Sequence, residues 1–283
     1  MLLKIIKILI VIILIFVLLI GYLYFEDTFM VTTRYFIDSD RLPTSLNGLK
    51  IVQVSDLHNT TFIKLQNDLI KTIRKEQPDI IVITGDLIDA HRTDMTIAFE
   101  FIKGIKDVAP IYYVMGNHER GIFKEYTKLE QGLEELGVNV LGNKTVSFEK
   151  NGEIIDIVGI EDVSIEVGTA KWSKSIIEKY LDESKYTGEN YTILLFHRPE
   201  IIDLVNTDNI DLIFTGHYHG GQIRIPFVGG LVSPNRTFFP KYTVGLKSVN
   251  KTTEVLSRGI GNSVFPFRIN NRPEIVVVDI NSK

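Results

Sequence analysis

The hydrophobic pattern divides the chain into an apolar head and a body that alternates short apolar runs with amphipathic ones. Residues 1 to 25 are almost wholly apolar: Lys4 and Lys7 interrupt the start, and Ile8 to Phe25 runs unbroken until Glu26 and Asp27 close it. That length is near the ~20 residues needed to cross ~30 Å of hydrocarbon. The lysines mark a cytoplasmic end, and Tyr22 and Tyr24 suit the opposite interface. A cleaved signal would carry a shorter apolar region and a small-x-small site, and neither is visible. The reading is an uncleaved, single-pass anchor in the cell membrane, with the N-terminus cytoplasmic and the rest extracytoplasmic. A mixed lead-in occupies residues 26–48, and a single domain fills 49–283.

Within that domain Lys50–Val54, Ile80–Thr84 and Ile111–Met115 predict buried strands. Helical spacing predicts helices over Leu65–Glu76, Met95–Ile105 and Lys124–Leu136, the first ended by Pro78 and the last capped by Gly137. Strand–helix alternation of this kind gives parallel βαβ units. After residue 138 the pattern turns strand-rich. Val146–Glu149 and Ile154–Ile160 flank the hairpin signal Asn151-Gly152, Ser173–Leu181 reads as a helix, and Tyr191–Phe196 as a strand. A strand ends at Phe214, and short strands follow near Ile223 and over Val244–Lys247, Thr253–Ser257 and Ile275–Asp279. Two mixed sheets packed together, with helices outside, are expected.

Composition adds boundaries. The net charge of −4 offers no basic face for nucleic acid, and the absence of cysteine excludes disulfides and thiolate ligands. Five Asn-x-Thr sites occur, at Asn59, Asn143, Asn190, Asn235 and Asn250. A glycan on Asn59 would crowd the neighbouring His58, so these are read as chance matches and the source as bacterial.

The chemistry gathers behind the strands. Asp56 and His58 follow the first, Asp86 the second, Asn117 and His118 the third, His197 a later one, and His217 and His219 the last. Loops at the carboxyl ends of parallel strands share one rim. Five of the six histidines fall in this set. In extended backbone His217 and His219 leave on one side, and the adjacent glycines permit close approach. Hard carboxylate and amide oxygens mixed with imidazole nitrogen suit Mn²⁺, Fe or Zn²⁺. There are too many ligands for one ion, and a shared carboxylate between two ions ~3.5–4 Å apart is the arrangement used to cleave phosphate esters.

The ordered motifs Asp56-x-His58, Gly85-Asp86-x-x-Asp89, Gly116-Asn117-His118-Glu119, His197 and Gly216-His217-x-His219 resemble those of the calcineurin-like metallophosphoesterases. The tail, with His219-Gly220-Gly221-Gln222-Ile223-Arg224, Ser257-Arg258-Gly259-Ile260-Gly261 and Pro266-Phe267-Arg268, resembles the membrane-associated branch that includes UDP-2,3-diacylglucosamine pyrophosphatase-like enzymes. The resemblance implies a four-layer αββα sandwich of two mixed sheets. It implies one divalent ion on Asp56, His58, Asp86 and His219, and another on Asp86, Asn117, His197 and His217, with Mn²⁺ foremost. A bridging hydroxide would attack phosphorus, Asn117 would steady the non-bridging oxygens, and His118 would protonate the leaving oxygen with Asp89 behind it. Tyr218 stands where the branch usually carries a small residue, so an altered pocket shape is expected.

The expected substrate is a phosphoester or pyrophosphate, small or lipid-linked, near the envelope; the alternatives are a soluble nucleotide diester and a non-catalytic binding module. Arg258 and Arg268 are candidates either for substrate phosphate or for structural pairing. Glu161 to Asn190 is the candidate substrate-facing cap, with Trp172 in it suited to packing or recognition. His91 matches no motif and reads as a surface histidine.

Overall fold

In the computed structural model the described residues are 1–60, 63–163, 170–234, 236–263 and 265–283. The apolar head is one helix, α1 (Leu2–Thr28), long and apolar enough to cross a membrane. It runs on past Phe25, because Glu26 and Asp27 are buried against the domain instead of closing the helix in water. The lead-in then forms an unexpected strand, β1 (Val31–Ser39), whose half-buried positions alternate with exposed ones.

The predicted βα grammar follows. It runs β2 (Leu49–Val54), α2 (Ile63–Glu76), β3 (Ile80–Thr84), α3 (Thr96–Ile105), β4 (Ile111–Val114), the short α4 (Asn117–Gly121), α5 (Phe123–Glu135) and β5 (Asn139–Val140). The second half adds the hairpin β6 (Lys144–Lys150) and β7 (Glu153–Gly159), then α6 (Ala170–Ser184), β8 (Tyr191–Leu195), α7 (Ile201–Leu204) and β9 (Leu212–Thr215). A small ribbon of β10 (Arg224–Ile225) and β11 (Gly229–Gly230) precedes β12 (Gly245–Val249), β13 (Thr252–Leu256) and β14 (Glu274–Ser282).

One six-stranded sheet has the order β1-β14-β2-β3-β4-β5, with β2 to β5 parallel and β14 antiparallel to β2. The other has the order β12-β13-β9-β8-β7-β6, with β13, β9, β8 and β7 parallel. Successive side chains of a strand point to opposite faces, so each central strand feeds two cores. Ile51, Val82, Ile193 and Phe214 meet between the sheets. Val52, Ile83, Leu69 and Phe101 fill the layer under α2, α3 and α5. Leu194, Ile213, Ile177 and Ile201 fill the layer under α6 and α7. The architecture is the expected four-layer αββα sandwich.

At the carboxyl ends of the parallel strands the inter-sheet core turns polar. Gln53 Nε2 donates to Thr84 Oγ1 at 3.0 Å and, across the sheets, to the Thr215 carbonyl at 2.8 Å. This bracket fixes the spacing of β2, β3 and β9 directly beneath the loops that carry the candidate ligands. Residues 164–172 of the candidate cap, Trp172 among them, lie outside the described side chains.

Candidate metal centre

All seven candidate ligands converge at that rim. His58 Nε2 lies 3.1 Å from His219 Nε2, 3.8 Å from Asp56 Oδ1 and 3.5 Å from Asp86 Oδ2. His219 Nε2 lies 3.4 Å from Asp56 Oδ1. Ligands ~2.1 Å from a tetrahedral ion stand ~3.4 Å from one another, so this spacing is that of a coordination shell. On the other side His197 Nε2 is 3.3 Å from Asp86 Oδ2 and 3.0 Å from Asn117 Oδ1. Ligand atoms of Asp86, His197 and His217 lie within 4.8 Å of one another. The same oxygen, Asp86 Oδ2, therefore faces both clusters, while its Oδ1 accepts the His118 N–H at 2.8 Å.

The backbone is bent to make this possible. Asp56, His58, Asp86, His217 and His219 all hold left-handed φ values between 47° and 74°. For residues other than glycine such conformations cost on the order of 1–3 kcal/mol each and cluster at functional sites. Cross-loop hydrogen bonds enforce them. Asp56 N–H donates to the Gly85 carbonyl, His58 N–H to the Asp86 carbonyl and Gly261 N–H to the Asp56 carbonyl. Glycine is required where loops touch: a Cβ on Gly116 would lie 2.3 Å from Asp86 Oδ1, and one on Gly216 would lie 2.0 Å from Ser55 Oγ.

The rings are also oriented. His197 Nδ1 meets the Thr84 carbonyl at 2.8 Å, which places a proton there and turns Nε2 toward Asp86 Oδ2 and Asn117 Oδ1. Burial, and after it the neighbouring Asp56, His58 and Arg268, sets the proton affinity of His219; burial and the cations hold it down at about 3, so the ring stays neutral. Burial pushes the Asp86 carboxyl up, but His197, His58 and His118 overrule it and hold it well below the usual carboxylate range. Burial pushes His197 down, but Asp86 and Asp56 overrule it and raise it to about 10; ionised carboxylates buried among imidazoles whose protons a cation would displace are a donor set for divalent cations.

His118 stands at the edge of the cluster, its ring edge-on to that of His58. Its Nδ1 accepts the Ala90 N–H at 3.0 Å, which leaves the proton of the neutral ring on Nε2, 3.2 Å from Ser263 Oγ. Asp89 Oδ1 lies 3.8 Å behind Nδ1. A cavity of about 350 Å³ opens here, lined by His58, Asp89, His91, Asn262, Ser263 and, from the last turn of α1, Asp27. His91, which matches no motif, is thus a wall of the pocket.

Of the two readings of Arg268, its contacts favour the structural one. Its guanidinium is fully buried and is spent on the Arg258, Gly261 and Asn271 carbonyls and on Asn262 Oδ1, with Nη2 3.3 Å from His219 Nδ1. It supports the His219 loop from behind and is not available to substrate phosphate. Arg258 pairs with Glu274 at 2.9 Å. The Tyr218 hydroxyl donates to Glu200 and its ring packs beside those of His217 and Tyr242.

Three residues carry weight that motif reading did not give them. Glu119, fully buried, accepts the N–H groups of Asp86, Ile88 and Gly116. Arg198 reaches His217 Nε2 at 3.0 Å while paired with Asp162 at 2.7 Å. Ser263 meets His118 from a loop remote in sequence.

Residues 49–221 match the model of the calcineurin-like phosphoesterases. The chain belongs to that family. Among relatives of this phosphoesterase, an uncharacterized metallophosphoesterase of Bacillus subtilis, YkuE, is 29% identical over 92% of this chain and 88% of its own. Phosphodiesterase YaeI of Escherichia coli is 26% identical over 82% of each chain. A transmembrane protein with a metallophosphoesterase domain from Danio rerio is 31% identical over 83% of this chain, which spans 54% of that protein. The protein TT1561 of Thermus thermophilus shares the fold, with a TM-score of 0.51 at 13% identity over 75% of this chain and 90% of that one. The phosphoesterase is a hydrolase acting on phosphoester bonds through divalent metal, and its N-terminal helix together with the transmembrane relatives points to a membrane anchor.

Proposed function

We propose that this phosphoesterase works with two divalent ions, Mn²⁺ foremost, and cleaves a phosphoester or pyrophosphate presented at the surface of the membrane that holds it. The observation that carries the first part is the single oxygen Asp86 Oδ2, 3.5 Å from His58 Nε2 and 3.3 Å from His197 Nε2. One ion would be held by Asp56, His58, Asp86 and His219, the other by Asp86, Asn117, His197 and His217. Bound there, the pair supplies Lewis acidity toward the phosphoryl oxygens and a nucleophile generated from water at neutral pH.

The chain's own side chains do the rest. Asn117, held beside His197, presents its amide N–H₂ to a non-bridging oxygen. To give its Nε2 proton to the leaving oxygen, His118 must first be the imidazolium, a form that Asp89, 3.8 Å from Nδ1, favours; loss of the proton then leaves neutral imidazole. Ser263 holds that proton's direction until substrate displaces it. Asp89 steadies the ring and favours its charged form. Arg198, fixed by Asp162, offers a guanidinium next to His217, where a phosphoryl oxygen can accept from it.

The membrane part is supported by Asp27, which lies at the end of the apolar helix and also lines the pocket. A retained anchor with an extracytoplasmic domain would keep a lipid-linked phosphate within reach. Hydrolysis of a soluble diester is the second reading, supported by the name of the Escherichia coli relative.

The test uses the full chain in liposomes, loaded with Mn²⁺ or Zn²⁺, with bound metal counted and hydrolysis of an aryl phosphodiester, an aryl monoester and a lipid-linked pyrophosphate compared. Two ions per chain and preference for the lipid-linked substrate are expected. One ion per chain would end the dinuclear reading, and equal rates on soluble and lipid-linked substrates would end the membrane reading.

A further inference from the structure

Beside the anchor, the structure leaves a group of large apolar side chains in solvent. The turn that joins β10 to β11 exposes Phe227 by 109% and Val228 by 61%, and the adjoining loop exposes Phe238 by 69% and Phe239 by 60%. The two segments are neighbours: Val232 bridges to Phe238, and Phe239 N–H donates to the Leu231 carbonyl at 2.9 Å. Isolated exposed apolar residues are ordinary, but a contiguous aromatic patch marks a surface that meets something apolar. Phe227 also holds φ at 66°, directly after Pro226, a turn position that glycine normally fills. Neither packing nor backbone preference accounts for a phenylalanine there.

The direction of the ribbon says what it meets. Residues 268 to 270 run along α1: Arg268 N–H donates to Asp27 Oδ1 at 2.9 Å, whereas Asn270 meets the Tyr22 hydroxyl at 3.1 Å. Tyr22 lies about 7 Å nearer the N-terminal end of α1 than Asp27 does, at 1.5 Å per helical residue. The segment therefore dips toward the apolar length of the helix at Asn270, before Asn271, whose N–H donates to Glu26 at 2.7 Å, turns it back. Ile223 pairs with Ile269 in parallel, so β10 travels the same way. Asn270 Nδ2 contacts the Arg224 carbonyl at 3.3 Å, and one residue beyond Arg224 the turn Ile225–Val228, closed by the Val228 N–H on the Ile225 carbonyl, carries Phe227 at its tip. The ribbon that carries the aromatic tip thus leaves the domain on the side where Asn270 meets Tyr22 of the apolar helix.

We propose that Phe227, Val228, Phe238 and Phe239 enter the interfacial layer of the bilayer that α1 crosses, forming a second membrane contact. The inference rests on the membrane reading of α1 and on no property of the substrate. Its consequence for the site is direct. The ribbon grows out of His219-Gly220-Gly221-Gln222, and Arg268, at the head of the descending segment, backs His219. Two contacts, helix and ribbon, fix the tilt of the pocket against the lipid surface, where one helix would leave it free to swivel.

The absence of cysteine makes the test clean. Single cysteines replace Phe227, Phe238, Ile12 in the anchor, and Glu153 at the exposed start of β7. Each full chain is spin-labelled and reconstituted in phosphatidylethanolamine–phosphatidylglycerol vesicles. Accessibility to oxygen is then compared with accessibility to a water-soluble nickel chelate. The oxygen-to-nickel ratio should rise several-fold above that at Glu153 for both Phe227 and Phe238, with Ile12 deepest. Ratios at 227 and 238 equal to that at 153, while Ile12 reads deep, would overturn the ribbon contact and leave the anchor standing. Shelter from both reagents would mean that protein, such as a second copy, covers the patch, and would overturn it as well. Because depth is read without substrate, failure here is separable from failure of the proposed activity.

Discussion

The carboxylate of Glu119 accepts the backbone N–H of Asp86 at 2.9 Å. With the Ile88 and Gly116 N–H groups it closes a three-point clasp around the loop that aims Asp86 at both clusters. Burial, and after it the charge of Asp86, pushes the Glu119 carboxyl up to about 7 despite those donors. Glu119→Gln preserves shape but replaces one acceptor oxygen by a donor. It should cost roughly 2–3 kcal/mol of stability and weaken metal binding roughly 10–100-fold. Calorimetry and metal titration of the purified variant check both; unchanged metal affinity would show that the clasp does not set the Asp86 geometry.

Asp86 and His118 are neighbours with separable duties. Asp86→Asn should release metal from both clusters and abolish turnover. His118→Asn should keep metal and lose about 10²–10⁴-fold in kcat, the range of a general acid. Metal counts on both variants, set beside kcat, decide the matter, and loss of metal in His118→Asn would reassign that histidine as a ligand.

Gly216→Ala would drive a Cβ to 2.0 Å from Ser55 Oγ and 2.4 Å from Asp56 Oδ2. Neither neighbour can retreat, since Asp56 also accepts the His217 N–H at 3.2 Å. A cost of about 1–3 kcal/mol is expected, together with weaker binding at the Asp56 cluster. Gly48→Ala, where a Cβ meets nothing within 4 Å but φ is +80°, separates backbone strain from collision in the same assay.

Glu254, on the face of β13 opposite Val255, is buried on the side of its sheet turned away from the other sheet, and among the described residues Thr215 Oγ1 is the donor that reaches it, at 3.2 Å. Burial pushes its carboxyl well above the usual range, against the opposing hydrogen bond from Thr215. The folded protein therefore holds a proton that the unfolded chain releases near pH ~4.3. Stability tied to this group is complete below that pH and is lost as pH rises toward the folded value. Glu254→Gln should match the parent at pH ~4 and exceed it by at least about 1 kcal/mol at pH ~8. Thermal unfolding in chelator, so that metal release does not enter, reads the difference; a constant offset across pH would remove Glu254 as the cause.

The ligand loops were legible because each is a polar break at the end of a near-continuous apolar run, and parallel strands put such breaks on one side. The helices under both sheets were legible from their spacing. Strand β1 was not, because its edge position leaves alternate residues in solvent and its mixture of threonine, arginine and tyrosine dilutes the apolar signal. The end of α1 was set too early because two acids look like a boundary until Asn271 N–H and Arg268 N–H are seen donating to them. The role of Arg268 stayed open for a related reason: the sequence offers a cation near the motifs, and packing reveals that protein carbonyls use its donors. Glu119, Arg198 and Ser263 act through contacts between loops, which spacing along one chain does not contain.

Strand β14 lies between β1 and β2, although nearly the whole domain is encoded between β1 and β14. During synthesis the strand next to α1 therefore waits without a neighbour, while the βα units behind it can already condense. The sheet closes only when β14 slides in between them. Because Pro273, at the threshold of β14, accepts the N–H of Val31, that late insertion is also what draws the emerging domain down onto its helix. A ribosome that stops short of β14 would leave an assembled set of metal-binding loops swinging on an unfastened tether.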